Sequence, residues 1–456
     1  MYDFRLNHPP AALLSESPRP QGETLRPNYE RLRLDGVYKQ NEEGDLMVRI
    51  KVPAGVLSAE QAIKVCAIAD EFSDGTVHLT TRGSIELHWL KFADLAAVAR
   101  LLATVGLTTR GACGGAVRGI ACSTTFAPGF AVTQSLVRRL HRHFAGNPHF
   151  EGLPKKFKIG VDAGYGQARH LIQDFGLVYL GSDGNDQLYD IWLAGGLGRA
   201  PRAGFHYAEK VPEKALIPLI EAVIRVFRKH APAGKRLKYV AQTLGETRLR
   251  DLIEAERVGA PAEMAVHPIE RNLTSDPDIA GLTEVPVFAG ELATSALRPL
   301  AAIARNHAEG FLALTADQNI AFIAGSAEAR AELEAALQQA GFGDQGATER
   351  VPFRICPGSH VCRLGLAPTR DVARQVLAVM GEKARALDWG ISGCPNSCAQ
   401  PQLAQAGILT TKVVRDAEGN RQPRFTLFRR KTSGLGEALV QDLSLEELLQ
   451  KVAELG

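Results

Sequence analysis

Two stretches of this chain are copies of each other, and that duplication limits what it can fold into more than any other feature. VPAGVLSAEQAIKVCAIADEFSDGTVHLTTRGSIELHWL begins at Val52, and VFAGELATSALRPLAAIARNHAEGFLALTADQNIAFIAG begins at Val287. At a constant offset of 235, Gly55 falls on Gly290, Leu57 on Leu292, Gly75 on Gly310, Thr80 on Thr315, Ile85 on Ile320 and Gly106 on Gly341. Each copy reads as an apolar strand, an Ala-rich helix, a turn glycine, two short strands and a second helix. TVHLTT and SIELHWL alternate with the period of a strand, while DLAAVARLLATVG has helical spacing and ends on glycine. Two αβ halves in one chain predict an α+β protein with pseudo-two-fold symmetry and a site at the junction of the halves. The copies differ where chemistry would demand it: Thr81-Arg82-Gly83 in the first becomes Ala316-Asp317-Gln318 in the second. The stretch from about Arg257 to Glu284, rich in Pro, Ala and Asp, reads as the linker between them.

At 456 residues the chain is long for one core, so two or three domains are expected. Lys and Arg total 53 against 50 Asp and Glu, so global charge offers no argument for nucleic acid or an anionic membrane as partner. MYDFRLNHPPAALL carries Asp3 and two prolines where a secretory signal would have an unbroken apolar stretch. No run reaches the length of a membrane span; ALIPLIEAVIRVF is broken by Glu221 and Arg225. Seven cysteines, an odd number without a secretion signal, favour cytoplasmic thiols and metal ligands over a disulfide framework.

Four of those cysteines form a pattern. RICPGSHVC and GCPNSC give C-x5-C, a gap of 31 residues, then C-x3-C: Cys356, Cys362, Cys394 and Cys398. A disulfide across Pro395-Asn396-Ser397 is disfavoured by geometry, and structural zinc usually takes tighter pairs. Four thiolates set among Gly358, Ser359, Gly393 and Ser397 suit a 4Fe–4S cluster, whose sulfides need small neighbours and backbone N–H donors. A zinc site is the alternative on spacing. Cys66, Cys113 and Cys122 lack partners at ligand spacing and read as packing residues.

Basic residues cluster locally in the first half: LMVRIKVPAG (Arg49, Lys51), GGAVRGIAC (Arg118) and LPKKFKIGVD (Lys155, Lys156, Lys158). Lys156-Phe157-Lys158-Ile159 puts both lysines on one face. Paired lysines repel unless an anion or carboxylate lies between them; alone they read equally as a solvated strand edge, and together with Arg49 and Arg118 they favour an anion pocket.

On these motifs the chain resembles the siroheme-dependent sulfite and nitrite reductase family, from about residue 35 to its end. LPKKFKI, HLTTRGSIELH, WLAGGLGRAP and RLKYVAQTLGE stand in family order around the four-cysteine motif. The resemblance implies a pseudo-two-fold pair of ferredoxin-like half-domains plus two larger α/β reductase domains. The expected boundaries are an N-terminal extension (1–34), a first half-domain (35–110), a first siroheme and substrate domain (111–256) and a linker (257–284). A second half-domain (285–345) and a 4Fe–4S and siroheme domain (346–456) follow. Cys356, Cys362, Cys394 and Cys398 would bind the 4Fe–4S cluster, Cys398 also serving as axial thiolate to siroheme. Arg49, Arg118, Lys156 and Lys158 would hold the anionic substrate, sulfite or nitrite, for reduction to sulfide or ammonia. Arg82, His88 and Asn396 would contact the macrocycle. GACGG and AGGLG lack the context of a dinucleotide site, so electrons would come from ferredoxin or a separate flavoprotein subunit.

The chain departs from the family pattern at three positions. Gly83 and Glu86 stand where glutamines are usual, and Gly119 where asparagine is usual. A carboxylate at Glu86 would sit badly near a carboxylate-rich macrocycle unless a cation pairs with it. Lys158 tilts the expectation towards sulfite. TTRGSIEL and GVDAGYG lean instead towards a precorrin-oxidising synthase of cobalamin biosynthesis. A non-catalytic iron–sulfur electron carrier and a zinc-stabilised interaction protein are the remaining alternatives.

Overall fold

The computed structural model describes residues 28–122, 129–184, 186–258, 282–343, 351–431 and 434–455. Most of the expected N-terminal extension and linker therefore lies outside the described residues. The two copies of the repeat fold alike. Helices Ala59–Phe72 and Thr294–His307, strands Thr76–Leu79 and Phe311–Leu314, and strands Val56–Ser58 and Glu291–Ala293 all obey the 235-residue offset. The first helix starts at a capping box in which Ser58 accepts from the Gln61 amide and the Gln61 side chain returns to Ser58.

The halves exchange strands. One sheet runs Val37–Lys39, Leu46–Ile50, Ile85–Leu90, Thr76–Leu79 and then Glu291–Ala293 from the second copy. The other runs Leu282–Val285, Ile320–Ile323, Phe311–Leu314 and then Val56–Ser58 from the first. The repeated glycines explain how the halves approach. A Cβ on Gly55 would stand 2.6 Å from the Leu314 carbonyl oxygen, and one on Gly290 would stand 2.5 Å from that of Leu79. Both glycines have positive φ (74° and 66°), open to glycine at little cost. One core serves both halves: Leu57, Ile68, Ile85, Leu87, Leu297, Leu300, Ile320 and Phe322 belong to it, all fully buried.

Strand alternation commonly marks a half-buried sheet, but Thr76–Leu79 and Ile85–Leu90 are buried on both faces. Val77, Leu79, Ile85 and Leu87 join the core, while His78, Glu86 and His88 are covered on the other side. Two larger α/β units complete the molecule.

Those units have the same topology. Ala121–Cys122, Ile159–Asp162, Phe175–Asp183, Asp186–Leu193 and Phe205–Pro212 pair in sequence order as parallel, parallel, antiparallel, antiparallel. Phe353–Ile355, Trp389–Ser392, Ala406–Arg415, Arg421–Arg429 and Glu437–Leu443 repeat that order and sense. Each has its own core, around Phe157, Phe175 and Phe227 in the first and Trp389, Phe425 and Leu448 in the second. The molecule is thus duplicated twice.

Candidate active site

The first two strands of the last sheet set the cysteine positions. Phe353–Ile355 and Trp389–Ser392 run parallel, so their C-terminal ends lie side by side and put Cys356 next to the loop carrying Cys394 and Cys398. The Cys356 amide donates to the Ile391 carbonyl (3.1 Å), and the Gly393 amide donates to Cys356 Sγ (3.1 Å). Leu366 N–H bonds the Gly393 carbonyl (2.7 Å), bringing the Cys362 turn against the same loop. Glycine is required in this turn: Gly358 has φ 63°, and a Cβ there would stand 2.2 Å from Thr369 Oγ1.

The four thiols feel one another. Burial, then Cys398, pushes the Cys356 and Cys394 thiols up, and burial pushes Cys362 up to about 11, with Cys398 and Cys394 adding to it. Cys356 and Cys394 are buried, Cys362 is partly so, and Cys398 is exposed. Among the described residues no three His, Cys, Asp or Glu groups converge on a point that could hold a single ion. A cubane is a larger body, with one thiolate at each of four irons. The donor set, the Gly393 amide aimed at sulfur and the glycine turns fit it. Cys66, Cys113 and Cys122 are buried.

The expected anion residues come from strands facing this loop. Arg118 and Lys158 each follow one partner of an isolated parallel bridge, Val117–Phe157, and the Arg118 amide donates to the Phe157 carbonyl at 2.9 Å. Phe157 and Ile159 are buried in the core, and Lys156 and Lys158 alternate to the other side, half-buried. Burial, with Arg118 and Arg236 beside it, lowers Lys156 to about 8, and Cys398 opposes that shift. Lys158 is held well below its ordinary value by burial, Lys156, Arg82 and Arg236, again with Cys398 opposing. The exposed cysteine thus stands within electrostatic reach of both lysines. Thr81 closes the junction: its hydroxyl donates to the Cys398 carbonyl at 2.9 Å.

Arg118 is buried, its guanidinium bonding the Ala112 carbonyl and the Gly114 carbonyl (3.1 Å), with Nε unpartnered. Arg82 is spent on protein groups: Gln173 Oε1 (2.8 Å) and the carbonyls of Gly119 (2.7 Å) and Ile159 (3.0 Å). It ties the Thr81–Gly83 loop to the first large unit. His88 is buried with neither ring nitrogen hydrogen-bonded. Asn396 is exposed beside the cysteines, its side chain bonding Cys394. Glu86 has the cation its position demanded: Arg49 Nε donates to Oε1 at 2.9 Å, and Nη2 to the same oxygen.

Two supporting pairs went unread in the sequence. Asp174, fully buried, accepts from the Lys158 amide (2.8 Å) and from Arg236 Nη2 (2.8 Å), fixing the lysine strand. Lys51 is buried, donates to the Val117 carbonyl at 3.2 Å, and is lowered to about 7 by burial, then by Arg118. Arg236 lies in RLKYVAQTLGE, but nothing in the sequence singled out either it or its carboxylate. The surplus of cations around unpartnered polar atoms fits a carboxylate-bearing cofactor and an anionic substrate.

Known families match parts of the chain. The model for the nitrite and sulphite reductase 4Fe-4S domain matches residues 114–261. The nitrite/sulfite reductase ferredoxin-like half domain matches twice, over 38–105 and 284–340. The four cysteines lie beyond these spans. A sulfite reductase [ferredoxin] 2 of Mycolicibacterium paratuberculosis is 25% identical over 90% of this chain and 80% of its own. A ferredoxin–nitrite reductase of Synechococcus elongatus is 27% identical over 85% of this chain and 81% of its own. The solved structure of the Mycobacterium tuberculosis NirA protein superposes with a TM-score of 0.78 at 23% identity, covering 93% of this chain and 85% of that one. No helix among the described residues is long and apolar enough to cross a membrane. With both half-domains and the first large unit matched over more than half its length, the chain belongs to the nitrite and sulfite reductase family.

Proposed function

We propose that this protein carries out the six-electron reduction of a small oxyanion, sulfite to sulfide or nitrite to ammonia. Cys356, Cys362, Cys394 and Cys398 would hold a 4Fe–4S cluster, Cys398 being shared with a siroheme contacted by Arg82, His88 and Asn396. When bound, the two cofactors supply electrons and the bond-breaking chemistry. The observation that carries the reading is the meeting of two sets of residues of opposite character. Thr81 donates to the Cys398 carbonyl at 2.9 Å while its neighbour Arg82 bonds the carbonyls of Gly119 and Ile159, so one turn ties the cysteine loop to the segments carrying Arg118 and Lys158.

The side chains divide the remaining work. Arg118, Lys156, Lys158 and Arg49 neutralise and orient the anion, arginine as a planar donor and lysine as a point charge. Lys156, lowered to about 8, is suited to give up a proton near neutral pH as oxygen leaves as water. Asp174 and Arg236 hold the lysine strand, and Thr81 holds the cysteine loop against it. Sulfite is favoured by Lys158 and by the names of several relatives. The electron donor would be ferredoxin or a flavoprotein subunit, in the cytoplasm.

Lys156→Ala tests the pocket. Turnover of sulfite and nitrite is expected to fall by about tenfold or more, the size typical of a lost proton-transfer group, with cofactor content unchanged. Wild-type rates would show that the anion binds elsewhere.

A further inference from the structure

Glu86 occupies a central place in the sheet that faces the site. In register it stands directly opposite Arg49 on one neighbouring strand and opposite His78 on the other. His78 in turn is opposite Glu291, which pairs with Arg370, so a polar row crosses four strands on one face. Glu86 Oε1 accepts from Nε and Nη2 of Arg49, and Oε2 lies 3.8 Å from His88 Nε2. The carboxylate is 7% exposed. Burial opposes its charge, but Arg49, His78 and His88 outweigh that and bring it down to about 2.

Among the described residues, Arg49 is the one member of the anion-binding set with a carboxylate at ion-pair distance. Arg118 bonds carbonyl groups, and Lys158 meets Asp174 through its backbone amide. Glu86 takes the Nε–Nη2 edge of the Arg49 guanidinium. The remaining Nη1 leans towards the Ala112 carbonyl (3.5 Å) and Cys113 Sγ (4.0 Å). Arg49 therefore offers an anion only the Nη1 end of its guanidinium, its Nε–Nη2 fork being held by Glu86.

We propose that Glu86 is a specificity-determining positioning residue: by clamping Arg49 and cancelling its charge, it makes the site select singly charged oxyanions over doubly charged ones. Nitrite and hydrogensulfite are the favoured class, and the sulfite dianion is disfavoured. This rests on the reading of Arg49, Arg118, Lys156 and Lys158 as the anion-binding set. The attraction between a site and an anion scales with the charge of each, so one positive charge removed costs a dianion twice what it costs a monoanion. Glu86 acts on the anion from behind Arg49; at about 12 Å and an effective dielectric of about 20, that difference amounts to roughly tenfold in relative affinity.

The test is calorimetric titration of cofactor-loaded protein with nitrite, and with sulfite at a pH where it is doubly charged. Glu86→Gln keeps the shape and an acceptor oxygen while removing the charge. Its sulfite-to-nitrite affinity ratio is expected to rise about tenfold over wild type. Glu86→Asp keeps the charge but loosens the clamp, and is expected to weaken both anions while leaving the ratio near wild type. A merely structural role would move both anions together in both variants, and an unchanged ratio in Glu86→Gln overturns the proposal. If Glu86→Gln does not fold, a raised ratio in Glu86→Asp overturns it instead. If loaded wild type binds neither anion, the functional reading itself fails and takes the proposal with it.

Discussion

Lys51, buried, and Lys156, half-buried, carry a measurable consequence of the crowding of cations near the site. Lys51 is lowered from its ordinary 10.5 to about 7, and Lys156 to about 8, chiefly by burial and then by Arg118. Between these values and 10.5 the folded state binds fewer protons than the unfolded state, so stability rises with pH across that window. Cofactor-free protein is expected to unfold at higher denaturant concentration at pH 9 than at pH 7. Lys51→Met should flatten that rise, and an identical slope in the variant would show Lys51 to be charged throughout. Some of this was legible from residues alone. The alternation Lys156-Phe157-Lys158-Ile159 correctly put apolar side chains in and lysines out, because strand geometry is local. The role of Lys51 was not legible, since Arg49 and Lys51 look equally basic in LMVRIKVPAG and only packing separates them. The need for a cation at Glu86 was foreseen from charge; that Arg49 supplies it depends on register between strand residues 37 apart in sequence.

Elements explain why one duplicated junction differs from its mate. Arg82 and Asp317 occupy equivalent places in the repeat. Arg82 docks on backbone carbonyls of the first large unit, whereas Asp317 accepts from Arg169 Nη2 (2.6 Å) and Arg354 Nη1 (2.8 Å). Arg354 continues to Asp388 at 3.0 Å, so charge is compensated at this junction and in surplus at the other. Asp317→Asn would leave two buried guanidinium groups short of a partner. A loss of about 3 kcal/mol is expected, the lower end for breaking a buried pair, read from the shift in denaturant midpoint. A shift near zero would mean that solvent or Asp388 takes over. The half-domain repeat was legible because glycines at matched turns keep a common sequence signature, as at Gly55 and Gly290. The duplication of the larger sheets was not, since Ile159–Asp162 and Trp389–Ser392 share a place in the fold but no chemistry. One precedes an aromatic loop, and the other precedes Cys394 and Cys398.

For the whole molecule, strand exchange makes the two halves interdependent. Glu291–Ala293 completes the first sheet and Val56–Ser58 the second. A fragment ending at Val258 would expose the edge of Thr76–Leu79 and half of a shared core. It is expected to be degraded by limited proteolysis under conditions that leave the full chain intact, and a stable fragment would contradict a single cooperative pair. That interdependence bears on function, because Thr81 from the first half meets Cys398 from the last unit only when all parts are assembled. On the proposed function, this assembly would bring a thiolate-held cluster and a cationic anion pocket together at one cofactor. The most direct measurement is the ultraviolet–visible spectrum of anaerobically purified protein from a siroheme-producing host, taken before and after adding sulfite or nitrite. Siroheme bands that shift with the anion are the expected result. Iron–sulfur absorbance without extractable tetrapyrrole, in protein fully supplied with siroheme, would contradict the account and point to an oxygenase or an electron carrier.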